Sequence, residues 1–130
     1  MNHNTAEKIR AFYAEQSDID RRNSEEAINQ TVSLLSSGGL NAAWIYTGTA
    51  KGYAVIDGLL VLRPNIKARV YAAIYVDYMD EYNIDLIHVK GEGVELIRNA
   101  PGIYLEELAA AYESMYDEYI ATVQAGFYTI

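Results

Sequence analysis

The chain has 130 residues, about half of them apolar or aromatic and 22% charged, and no cysteine. That balance suits one folded domain and excludes wholesale disorder, a disulfide scaffold, thiolate zinc or iron–sulfur centres and a cysteine nucleophile. Net charge is −8 but unevenly spread: residues 1–70 hold eight basic and seven acidic side chains, residues 71–130 only Lys90 and Arg98 against eleven acids. This speaks against a general nucleic-acid binder, which needs Lys and Arg to meet phosphates.

The N-terminal residues offer no basic and apolar signal segment, and no apolar run approaches the ~20 residues of a membrane helix, so the expected location is the cytoplasm. Asn4 with Glu7 three residues on predicts a capped helix whose buried stripe is Ala6, Ile9, Phe12, Tyr13 and Gln16. After a polar connection over 17–23, a second helix is expected from Ser24 to the Gly38-Gly39 stop; a continuous helix from Ser17 is its rival.

From Leu40 the period changes to that of strands. Ala43–Thr47 reads as a strand, 48–52 as a glycine-bounded turn and Tyr53–Leu62 as a second strand with a bulge at Gly58, ended by Pro64. Arg69–Tyr78 alternates clearly, placing Val70, Ala72, Ile74, Val76 and Tyr78 opposite Tyr71, Ala73, Tyr75 and Asp77. Asp80–Asn83 should turn the chain into a strand over Ile84–Lys90, and 91–93 into a short strand over Val94–Arg98, broken at Pro101-Gly102. Leu105, Leu108, Ala109, Tyr112, Met115, Tyr116, Tyr119, Ile120 and Val123 then fall on one stripe of a long amphipathic helix. The expected fold is α+β in a single domain: a mostly antiparallel sheet of about five strands, two N-terminal helices, and the C-terminal helix packed on the sheet.

Two features point toward recognition. Twelve tyrosines stand against two phenylalanines and one tryptophan, and the run from Tyr75 to Tyr82 interleaves phenols with carboxylates. Tyrosine suits half-wet positions at interfaces, though it is equally a good strand former. On the last helix, Glu113 and Asp117 are like charges four residues apart with no cation on the helix, a mildly unfavourable arrangement. It suits either a solvated face or a surface for a basic partner. The expected partner-binding residues are Asp77, Asp80, Glu81, Glu106, Glu113, Asp117 and Glu118, with Tyr78 and Tyr82 as aromatic anchors.

Signs of catalysis are weak. Residues 48–52 lack the Gly-Lys-Ser/Thr ending of a phosphate loop. The carboxylates of Asp77, Asp80, Glu81 and Asp85 lack calcium-loop spacing, and no Gly-x-Ser-x-Gly elbow accompanies His88. Arg63, Lys67 and Arg69 form a small basic cluster that either holds an anion or balances the acids. The leading expectation is thus a non-enzymatic, cofactor-free and metal-free acidic module. It would bind a basic protein surface, in its extreme form as a phage- or plasmid-type inhibitor that mimics nucleic acid before a nucleic-acid-handling protein, and would touch neither nucleic acid nor membrane itself. Two alternatives stay open: a small enzyme or ligand-binding domain with a pocket between sheet and helix lined by Tyr71, Tyr75 and His88, and a homodimer built through a sheet edge or tyrosine-rich face.

Overall fold

A computed structural model describes residues 3–16, 19, 53–62 and 69–124. Within them lie helix α1 (His3–Ala14), strands β1 (Tyr53–Ile56), β2 (Leu59–Leu62), β3 (Val70–Val76), β4 (Tyr82–Val89) and β5 (Val94–Ile103), a 3₁₀ turn over Leu105–Glu107, and helix α2 (Leu108–Gln124). The strands form one antiparallel sheet in chain order, β1-β2-β3-β4-β5. The fold is α+β, with α2 on the sheet as the periodicity requires. The second expected helix and the strand over Ala43–Thr47 lie outside the described residues.

The segment expected as one strand from Tyr53 to Leu62 is instead a hairpin. Tyr53 pairs with Leu62 and Ile56 with Leu59, leaving Asp57-Gly58 as a two-residue turn with both φ values positive, +46° and +86°. Such a turn matches the right-handed twist of the flanking strands, and Asp-Gly is among its preferred sequences. Gly58 is therefore a turn residue rather than a bulge.

The β3–β4 turn also falls earlier than expected, over Asp77–Glu81. The Asp77 amide donates to the Glu81 carbonyl at 2.9 Å and the Asp80 amide to the Asp77 carbonyl at 3.0 Å. Asp80 takes the left-handed conformation at φ +63°, which Asp tolerates better than most residues. β5 runs on through Pro101 to Ile103. It spends ten residues against eight of β4, with register shifts opposite Tyr82/Ile84 and Leu86/Ile87. A proline fits a bulged edge strand because no ladder bond is asked of its nitrogen.

Both faces of the sheet are covered. Val70, Ala72, Ile74 and Val76 join Leu60, Leu62, Ile84 and Leu86 beneath Leu108, Tyr112, Met115 and Tyr119 of α2. The alternate residues Tyr71, Ala73 and Tyr75 join Leu59, Val61, Ile87 and Val89 beneath Ile9 and Tyr13 of α1. Every residue of β3 is buried for this reason, where alternation alone suggests one wet face. No helix among the described residues is long and apolar enough to cross a membrane.

Candidate functional site

The meander sends the β1–β2 turn, the β3–β4 turn and the exit of β5 to the same end of the sheet, because Leu60 pairs with Ile74 and Tyr82 with Ile103. Asp57, Asp77, Asp80, Glu81, Glu106 and Glu107 therefore lie at that end, spread across the width of the sheet. The ion pairs of the described residues bring one cation to this group, Arg10, whose Nε lies 3.2 Å from Asp57 and which also meets Glu7. Exposed apolar surface accompanies the acids: Tyr78 is 58% exposed, Met79 78%, and Tyr104 is also open. The far end of the sheet carries Arg69, His88 and Lys90, and the Lys90 ammonium is 2.9 Å from Glu95. With Glu92 also in the β4–β5 turn, the described charges of that end balance, and the excess of acids lies at the other.

This geometry divides the expected partner-binding residues. Asp77, Asp80, Glu81, Tyr78 and Glu106 share the acidic end. Glu113, Asp117 and Glu118 step away along α2; Glu118 is ten residues past Leu108, roughly 15 Å of helix and beyond a physiological screening length of about 8 Å. Glu118 also bonds Arg98 of β5 at 2.5 Å, which ties α2 to the sheet and neutralises that carboxylate.

Two members have structural duties. Tyr82 is no exposed anchor: at 6% exposure it packs in the α2-side core, because it pairs with Ile103 at the start of β4. Asp77 is half-buried and organises the turn. Its Oδ1 accepts the amides of Met79 at 2.9 Å and Glu81 at 3.1 Å, and its Oδ2 accepts Asn83 Nδ2 at 2.9 Å.

Nor does the structure assemble the alternative pocket of Tyr71, Tyr75 and His88. The two tyrosines are buried on the α1 face, whereas His88 pairs with Val70 and shares Val70's α2 face. His88 Nδ1 is buried with no hydrogen-bond partner among the described residues. Burial, with Lys90 and Arg69 nearby, holds the imidazole below its ordinary pKa despite Glu95. Of the basic cluster, Arg63 and Lys67 lie outside the described residues.

What the sequence did not signal is a cleft on the α1 face, open to solvent and about 550 Å³ in volume. Its floor is polar. Asp85, only 4% exposed, accepts the Tyr13 hydroxyl at 2.7 Å and Asn99 Nδ2 at 2.5 Å. Burial first, then Asp85, pushes the Tyr13 phenol far above its usual pKa, so it serves as a donor. Phe12 and Tyr75 stand in the wall, and Glu81 and Asn83 connect the cleft to the acidic turn. The signal was Asn83 and Asp85 alternating with core residues in β4; it is legible only once the opposite face of the sheet is known to be covered.

Among the described residues no three His, Asp or Glu side chains are placed to hold a metal ion. The chain matches no family model, no curated protein and no solved structure. Function is read from the geometry.

Proposed function

We propose that the protein is a non-enzymatic interaction module that binds a basic protein surface through the acidic end of its sheet. An inhibitor whose carboxylates take the place of phosphates on a nucleic-acid-handling protein is the most specific form of this reading. The observation that carries it is the placement of Asp57, Asp77, Asp80, Glu81, Glu106 and Glu107 at one end of the sheet, with exposed Tyr78, Met79 and Tyr104 at the same end. Like charges held together by a rigid fold raise the field above that end. Such a field speeds encounter with a cationic partner and rejects anionic ones. The exposed aromatic and thioether side chains supply the apolar contact that charge alone lacks.

The test is affinity capture from the native host's lysate, comparing the wild type with the triple variant Asp80→Asn, Glu106→Gln, Glu107→Gln. These three side chains are exposed, so the fold should persist. Proteins captured by the wild type at low salt should be lost at high salt and lost to the variant. An identical captured set from both proteins overturns the proposal.

A further inference from the structure

We infer that β5 is a docking edge for an extended segment of the basic partner, which adds to the sheet as a further strand beside the cleft. The inference deepens the preceding proposal and rests on it for the partner's charge. Its own basis is the direction of the β5 backbone. Lys90 and Gly93 exchange both backbone bonds, at 2.6 and 3.4 Å, and from such a pair an antiparallel ladder alternates unbonded with bonded pairs. Val89 with Val94 and Ile87 with Leu96 are then the unbonded pairs. Val89 agrees with that phase, because its amide turns the other way and donates to the Arg69 carbonyl at 2.9 Å. Val94 and Leu96 therefore aim their N–H and C=O groups away from β4, on the side where the described sheet has no further strand.

An open edge is a template for pairing, and natural sheets blunt it with proline, bulges or charges. β5 keeps these devices off Val94–Leu96. The bulge opposite Leu86/Ile87 comes after Leu96, and Pro101 comes later still. Glu95 and Arg98 sit on the α2 face and are engaged there, by Lys90 at 2.9 Å and Glu118 at 2.5 Å. On the α1 face the stretch presents Leu96, 46% exposed, and beyond it Asn99 at the cleft. Charge selects the occupant. The charged residues lining the cleft are Asp77, Glu81 and Asp85, with no Lys, Arg or His among the described ones. A strand laid along β5 sends alternate side chains to that face, where basic stems lie on Leu96 and their charged heads reach toward the carboxylates. Main-chain bonds supply the affinity of such an addition, and the alternate side chains its specificity.

The test is a ¹⁵N NMR titration of the full chain, with amide exchange followed alongside, using a blocked hexapeptide that alternates lysine with valine. Parallel arms use its glutamate–valine counterpart and two N-methylated forms of the lysine peptide, one methylated at every lysine nitrogen and one at every valine nitrogen. The lysine peptide should slow exchange of the Val94 and Leu96 amides by about fivefold or more. Only one edge of an added strand faces β5, so one methylated form should bind at least about fivefold more weakly than the other. The glutamate peptide should bind at least about tenfold more weakly than the lysine peptide. Leu96→Pro removes the outward donor at a position where an edge strand accepts proline. Leu96→Ala keeps the donor and should bind the lysine peptide about fivefold more tightly than Leu96→Pro does.

Unchanged exchange at Val94 and Leu96 in millimolar lysine peptide, equal binding of the two methylated forms, or equal binding by the two variants each overturns strand addition. Should Leu96→Pro fail to fold, the methylated pair decides. A glutamate peptide that binds as tightly as the lysine one overturns the basic occupant. Protection of the same amides without peptide, rising with protein concentration, overturns it in favour of a second copy of the chain. If the lysine peptide leaves β5 untouched while the triple variant still loses its captured proteins, the edge is wrong and the acidic end stands. If it binds β5 while capture is unaffected, the acidic-end reading falls, and the basic partner with it.

Discussion

The two faces of the sheet are built to different specifications. Under α2 the packing is apolar, and its buried polar side-chain atoms are those of tyrosines and a histidine. The Tyr112 hydroxyl has no hydrogen-bond partner among the described residues, and burial raises its pKa. Under α1 the sheet buries a carboxylate and an amide, Asp85 and Asn83, and opens into a cleft. Burying such groups costs stability unless they are bonded; Asp85 and Asn83 are bonded, whereas on the α2 face the Tyr112 hydroxyl and His88 Nδ1 have no partner among the described residues. The contrast separates an apolar face from one that carries a bonded polar network and a cleft.

The largest effect expected of that separation is on stability. Leu108→Ala, which empties a fully buried site on the α2 face, should cost about 2–5 kcal/mol in urea denaturation and leave NMR signals around the cleft in place. Comparable disturbance of the cleft would show that the faces are not independent. Next comes Tyr13→Phe, which deprives the Asp85 carboxylate of a donor while keeping the ring; about 1–3 kcal/mol should be lost. A smaller loss would show that α1 is held by packing alone.

Asp77→Ala removes the acceptor of two turn amides and the Asn83 side chain. A loss of about 1–2 kcal/mol should follow, with the Asn83 amide signal shifted, since that turn joins cleft to acidic end. Glu118→Gln should change stability by at most about 1 kcal/mol, because its bond to Arg98 is largely in water.

The smallest signal is a pH dependence belonging to the α2 face. His88 is held below its ordinary pKa of 6.5, so the unfolded chain takes up a proton before the folded one. Its contribution is therefore complete above pH 6.5 and declines as pH falls through the folded-state value. His88→Gln should flatten that part of the melting-temperature profile and leave the cleft unchanged.

How much of this was legible in the sequence depended on whether one face or two had to be known. The α2 stripe needs only its own period of apolar residues, and the stripe of Ile9 and Tyr13 in α1 is equally local. The strand at β3 declared itself by alternation, and β4 by the turns on either side of it. Tyr82, by contrast, was expected as an exposed anchor because it follows a run of acids; its register opposite Ile103 buries it, and register is a non-local property. Asp57-Gly58 reads as part of one strand because the apolar run continues on either side, although Asp-Gly between such runs is a hairpin signal. The cleft was hidden because Asn83 reads as the end of a turn and Asp85 as one of several carboxylates, and neither shows from sequence that the face it lies on is covered. His88 separated from Tyr71 and Tyr75 because the odd and even positions of paired strands leave opposite faces.

The bond from Tyr13 to Asp85 spans 72 residues, whereas every strand of the meander pairs with its neighbour in the chain. Contacts of short sequence separation form first, and a distant closure waits for the loop entropy to be overcome. The hairpins and α2 should therefore assemble before the first helix docks. Substitutions at Tyr13 will then appear mainly as faster unfolding, with refolding rates little changed. Order of assembly would follow the same division as the architecture: the apolar side early, the side that bears the cleft last.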